Sequence, residues 1–382
     1  MRKVGCILLA LWLTVAALPV VAVAAELEVA GKSAVLMDIP TGTVLYEKNA
    51  HEKLPPASVT KVMTMLLIME AVADGRIAMT DSVTTSEAAA AKGGSQIFLK
   101  VGETMSVSDL LKSIAVSSAN DAACAMAEHI AGSETAFVTM MNEKAAALGM
   151  ADTHFVNCTG LDDDPEAENH LTSAYDIALM SRELMLKHPQ IQEFTTIWMD
   201  TVRAGAFGLA NTNKLVRFYP GATGLKTGFT QKAGYCLSAT AQRDGLGLVA
   251  VVMGGESSQE RFAACKQMLD YGFANYALVS PAPTGNCTVP VQLGVGDRVT
   301  VRPAYDGAFL IDRSQKKSVT VEVTLEDSVA APVSLGQRLG TMTVRSDQQI
   351  LAQIPMVATE AVPKLTWGQV FSRLLRQITM RG

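Results

Sequence analysis

Three short motifs stand in fixed order along 382 residues: Ser58 and Lys61 as S-x-x-K, Ser118 and Asn120 as S-x-N, and Lys226-Thr227-Gly228 as K-T-G. A fold that uses them together must draw widely separated stretches into one cleft. In P-A-S-V-T-K (Pro56 to Lys61) the hydroxyl and the amine lie three residues apart, so a helix puts both side chains on one face. An amine so placed can take the hydroxyl proton, provided desolvation or a neighbouring cation keeps it partly neutral. Lys226 is the candidate for that cation. The pattern reads as acyl transfer through a serine nucleophile.

Order, rather than any single motif, makes the set specific. At average composition a lone S-x-x-K is expected roughly once in a chain of this length, and S-x-N about as often. Ser314 to Lys317 is such a chance S-x-x-K, placed after Lys226 and before an alternating stretch, and is read as solvated surface. K-T-G is rarer, expected in about one such chain in ten. Here it opens the longer run K-T-G-F-T-Q-K-A-G.

These motifs, with P-P-A-S-V-T-K-V-M-T, the stretch from Thr159-Gly160-Leu161-Asp162 to Asp176, N-T-N-K-L-V and G-L-K-T-G, resemble the penicillin-binding serine D-alanyl-D-alanine carboxypeptidases of low molecular mass. The likeness runs from about Ala30 to Tyr276. It implies an α/β (α+β) domain of the β-lactamase/transpeptidase type, with an antiparallel sheet and helices. It also implies removal of the terminal D-alanine from peptidoglycan stem pentapeptides through an acyl-enzyme on Ser58, with β-lactams as inhibitors. Ser118 would relay a proton between Lys61 and the leaving amine, and Asn120 would bind the substrate amide. The N–H groups of Ser58 and Phe229 would hold the oxyanion. Thr227 and Arg261 are candidates for gripping the substrate's terminal carboxylate, with a surface arginine as the plain alternative for Arg261. Class A β-lactamases carry S-D-N where Ala119 stands here, which favours a peptidase. A β-lactamase and a non-catalytic peptidoglycan-binding protein are the alternatives; every motif residue is present, which argues against the second.

Local patterns place the motifs. Ala34–Leu36 and Thr43–Tyr46 flank the turn Pro40-Thr41-Gly42 as a hairpin. Thr60 to Ala73, free of glycine and proline, predicts a buried helix with Ser58 near its positive end. Ser117 to Asp121 is a short connection between two helices, with Ser117 and Asp121 as ordinary cap and surface residues. Ser118 and Asn120 have helix capping as their plain alternative. Lys226 to Phe229 begins a strand at a sheet edge, followed by strands at Tyr235–Thr240 and Leu246–Met253 around Arg243-Asp244-Gly245. On that strand Lys226 and Gly228 point one way, Lys226 toward Ser118, and Thr227 the other. The acidic stretch Asp162 to Asn169 lacks calcium-loop spacing and reads as solvated, with no catalytic role for Glu166 or Glu168. His170 reads as structural.

A chain this long predicts more than one domain: a signal peptide at 1–25, the peptidase domain at 26–278, a small all-β sandwich at 286–360 after the linker Ser280–Gly285, and an amphipathic helix at 364–382. Arg2 and Lys3, an apolar run and Ala22-Val23-Ala24 predict export and cleavage near Ala24 or Ala25, rather than an uncleaved anchor. The last helix carries Trp367, Val370, Phe371, Leu374, Leu375 and Ile378 on one face, with Arg373, Arg376 and Arg381. It suits the surface of an anionic membrane, the alternative being a helix packed on the β domain. The enzyme would then sit at the outer face of the cytoplasmic membrane, against the wall. The net charge of −5 and the lack of a basic stripe exclude nucleic acid as an expected partner. Cys6 leaves with the signal, and the other five cysteines form no disulfide framework. The five histidines lack metal-ligand spacing, so neither metal nor cofactor is expected.

Overall fold

The computed structural model describes residues 27–163, 165–283, 285–305, 307–347 and 349–379. The expected signal peptide, Cys6 and Arg381 lie outside these residues. The hairpin around Thr41 forms as β1 (Ser33–Asp38) and β2 (Val44–Lys48). Three more strands, β3 (Ala222–Thr230), β4 (Gly234–Arg243) and β5 (Leu246–Gly255), complete an antiparallel sheet in the order β2-β1-β5-β4-β3. Asp244 and Gly245 both take positive φ, 50° and 84°, as the tight turn between β4 and β5 requires.

The central strands are buried on both faces, and the period of two sends alternate residues into different cores. Val35, Met37, Val249, Val251 and Met253 face one cluster with α1 (Lys61–Ala73), α2 (Val107–Ser117), α3 (Asn120–Ala131) and α4 (Ala174–Lys187). Ala34, Leu36, Leu248, Ala250 and Val252 face the other, covered by α5 (Ser258–Asn275). The sheet is thus the middle layer of three, and β3 forms its edge.

After α5, Tyr276–Val279 pairs antiparallel with Phe309–Asp312, and Arg313 donates 2.7 Å to the Phe273 carbonyl. Beyond lie β6 (Thr288–Gln292), β7 (Arg298–Pro303), β8 (Val319–Leu325), β9 (Val329–Ala330), β10 (Arg338–Ser346) and β11 (Gln349–Ala358). The expectation of a sandwich is corrected in one respect: these form one sheet, ordered β8-β10-β11-β7-β6-β9, rather than two. Val321 at one edge and Val329 at the other pack on the same core, so the sheet folds over on itself. Ser314 and Lys317 are exposed there, remote in role from the other lysines. The terminal helix α6 (Trp367–Thr379) leaves Trp367 90%, Phe371 64% and Leu375 46% exposed, while Arg373 pairs with Asp297 at 3.0 Å. Among the described residues no helix is long and apolar enough to cross a membrane.

Candidate active site

Ser58 lies in a 3-10 turn, Ala57–Thr60, that runs into α1, so Lys61 is the first residue of the helix proper. The tighter winding brings the pair together: Lys61 Nζ donates to Ser58 Oγ at 2.9 Å and to the Thr159 carbonyl at 2.8 Å. Lys61 has no solvent exposure. Burial pushes its ammonium down to about 7, against the opposing influence of Cys158 and Asp121. Half of it is therefore neutral near physiological pH and able to accept the serine proton.

The loop 157–161 clamps this turn. The Cys158 carbonyl takes the Thr64 hydroxyl at 2.6 Å. Gly160 has φ +81°, and a Cβ there would fall 1.8 Å from the Ala57 carbonyl oxygen, so no side chain fits. Thr159, Gly160 and Asn157, whose side chain accepts from the N–H groups of Thr159 and Gly160, are functional parts that reading by motif missed. The T-G-L-D likeness was the sequence signal for Thr159 and Gly160, and it does not reach Asn157.

The K-T-G strand closes the other side. A Cβ on Gly228 would stand 2.7 Å from the Pro56 oxygen and 3.1 Å from the Ser58 nitrogen, so glycine alone lets β3 approach the nucleophile turn this closely. Lys226 is fully buried, and burial, followed by the charges of Lys61 and Arg261, depresses its ammonium well below the usual lysine range. Since the charge of Lys61 bears on Lys226, the two buried amines resist carrying two charges at once. The expectation that Lys226 reaches Ser118 is corrected: Nζ donates to the Thr227 carbonyl at 2.9 Å, because a buried ammonium takes the nearest strong acceptor. Thr227 itself donates to Thr212 Oγ1 at 2.6 Å.

Ser118 ends α2 in the left-handed region (φ 64°, ψ 28°), and Ala119 leads directly into α3. Neither Ser118 nor Asn120 caps that helix. Asn120 Nδ2 donates to the Gly93 carbonyl at 2.7 Å, while Ser118 Oγ and Asn120 Oδ1 are buried without a protein partner. Orphaned polar atoms are rare in cores, and a non-glycine residue held at positive φ stores strain; both cluster at functional sites. Asp121 is not the surface residue expected. It is buried, and its carboxylate accepts from the N–H groups of Ile97 and Leu99, pinning the neighbouring loop beside the motif.

Arg261 is 7% exposed, which overturns the surface-arginine alternative; Nη1 donates to the carbonyls of Gly228 (2.7 Å) and Cys236 (3.1 Å), while Nε is buried without a protein partner. Through Nη1 the residue holds the end of β3. His170 is buried and linked to Thr60. Cys124, Cys158, Cys236, Cys265 and Cys287 are all free thiols. Glu166, Glu168 and most of the acidic stretch are exposed.

A family model described as D-alanyl-D-alanine carboxypeptidase matches residues 20–257, and one for the C-terminal domain of penicillin-binding protein 5 matches 280–364. The chain is 45% identical over 346 residues to the D-alanyl-D-alanine carboxypeptidase DacF of Bacillus subtilis, covering 89% of this chain and 87% of that one. It is 34% identical to DacA of Escherichia coli, covering 92% and 88%. Among solved structures, penicillin-binding protein 5 of Haemophilus influenzae superposes with a TM-score of 0.74 at 29% identity, over 88% of this chain and 98% of that one. Penicillin-binding protein D2 of Listeria monocytogenes, in its ampicillin-bound form, superposes with 0.59 at 32% identity, over 65% and 99%. With Lys61 on Ser58, the K-T-G strand packed against the same turn and relatives matched along nearly their whole length, the chain belongs to the serine D-alanyl-D-alanine carboxypeptidase family.

Proposed function

We propose that this enzyme removes the terminal D-alanine of peptidoglycan stem pentapeptides, with Ser58 as nucleophile and Lys61 as its base. The observation that carries the assignment is the 2.9 Å contact between Ser58 Oγ and a fully buried amine poised near neutrality. Lys61 takes the hydroxyl proton as Ser58 attacks, and the Ser58 and Phe229 amides hold the tetrahedral oxyanion. The nucleophile turn starts a helix, where backbone N–H groups lack intrahelical acceptors and the dipole favours negative charge. Ser118 passes the proton from Lys61 to the departing D-alanine. Asn120 binds the peptide amide, and Thr227 receives the terminal carboxylate on the edge of β3. Water then frees the acyl-enzyme. Incubation with muropeptides followed by mass spectrometry should convert pentapeptide species to tetrapeptides, each short of one alanine; unchanged pentapeptides would overturn the reading.

The same proposal places the enzyme outside the cytoplasmic membrane and resting on it. Trp367, Phe371 and Leu375, four residues apart in sequence, make an exposed apolar stripe on α6, beside a chain end that carries arginines and no acidic residue after Glu360. The full chain is expected to co-sediment with anionic lipid vesicles and to be degraded by protease added to wall-stripped cells. Truncation after Lys364 should abolish the sedimentation. Sedimentation unaffected by the truncation would sink the membrane role of α6.

A further inference from the structure

We infer that Thr60 and His170 are positioning residues for the oxyanion hole: a one-way chain of hydrogen bonds from the Val156 N–H through both side chains fixes and polarises the peptide unit that ends in the Ser58 N–H. The inference rests on the reading above that this N–H receives the oxyanion. Val156 N–H donates to His170 Nδ1 at 3.1 Å. A neutral imidazole that accepts at Nδ1 carries its hydrogen on Nε2, and Nε2 lies 2.8 Å from Thr60 Oγ1. Thr60 Oγ1 in turn donates to the Ala57 carbonyl at 2.8 Å. All three bonds point the same way, and bonds so aligned strengthen one another in a buried setting.

The last acceptor decides the function of the chain. The Ala57 carbonyl and the Ser58 N–H are the two ends of a single peptide unit. That unit is trans, so the two point to opposite sides. Pulling the carbonyl toward Thr60 therefore aims the N–H toward Gly228 and the cleft, and draws electron density from it. Ala57 needs holding, since its φ of 49° is a left-handed conformation that alanine resists. Gly160 presses on the same oxygen from the loop side. The histidine is kept neutral by burial, by His154 and by the Lys61 charge, with Phe155 against its ring at 5.6 Å. A histidine serving only as core packing has no need of a directed chain that ends on this carbonyl.

The test is acylation by a penicillin, with the bond-forming rate constant separated from non-covalent affinity and each rate normalised to the folded fraction from thermal melts. Thr60→Val and His170→Phe keep the shape and break the chain. Each should lower the acylation rate constant about tenfold to a hundredfold, with affinity changed less than about twofold. Thr60→Ser and His170→Gln, which restore donors, should recover most of the rate. If Thr60→Val does not fold, the contrast of His170→Phe with His170→Gln reads the same quantity. Folded variants that acylate at the wild-type rate sink the relay alone. Wild-type enzyme that fails to acylate Ser58 sinks the functional reading, and the relay with it.

Discussion

Ser58→Ala is expected to lose all covalent labelling by a fluorescent penicillin and to release D-alanine about a thousandfold more slowly, or slower still. Removing one oxygen removes the atom that forms the acyl bond, while the Ser58 and Phe229 amides, Asn120 and Lys61 all stay. What remains can bind and polarise the substrate but cannot split the reaction into two easier steps. The substitution should leave the fold intact. Ser58 is only half-buried, and its hydroxyl meets the protein at Lys61, so stability should move by less than about 1 kcal/mol. Gel fluorescence and a thermal melt on the same sample separate the two effects. Label retained by a folded Ser58→Ala would transfer the nucleophile to another hydroxyl, and Ser118, buried without a partner, would be the first to examine.

The sequence made the chemistry legible because its parts are local: spacing alone sets Ser58 beside Lys61, and a strand with glycine at Gly228 sets an edge against them. The hairpins were legible for the same reason, since Asp244-Gly245 specifies its turn without outside help. What could not be read depends on which distant backbone arrives. Asp121 looks like any first-turn acid of a helix until the loop at Ile97 and Leu99 presents its N–H groups. Arg261 looks like a free fork until α5 packs it on the carbonyls of β3 and β4. The base's second partner, the Thr159 carbonyl, is a backbone atom and leaves no trace in residue type. In the second domain, alternation marks each strand but not its neighbours, which is why one folded-over sheet reads the same as two.

Lys61→Met is expected to cost about a thousandfold in acylation and, at pH 7, to raise the melting temperature. The loss follows from removing the base, which is worth about 10² to 10⁴ in rate. The gain follows from what burial costs. Lowering the ammonium from 10.5 to about 7 expresses a native-state preference for the neutral form of about 5 kcal/mol, an upper bound on what replacing it can recover. Against this, methionine leaves the Thr159 carbonyl without its donor, a penalty of about 1 to 3 kcal/mol, so the balance favours the variant. The sign with pH is fixed. Between pH 7 and 10.5 the unfolded chain still holds the proton that native Lys61 has released, so this residue makes wild-type stability rise with pH across that window. Lys61→Met should lose that part of the slope. Wild-type acylation should in turn fall about tenfold per unit below pH 7, as the amine fills with a proton and can no longer take one from Ser58. A profile flat from pH 5 to 8 would mean that Lys61 does not titrate in this window and does not gate acylation, and a methionine variant that melts lower than wild type would mean that the lost hydrogen bonds outweigh the cost of burying the ammonium.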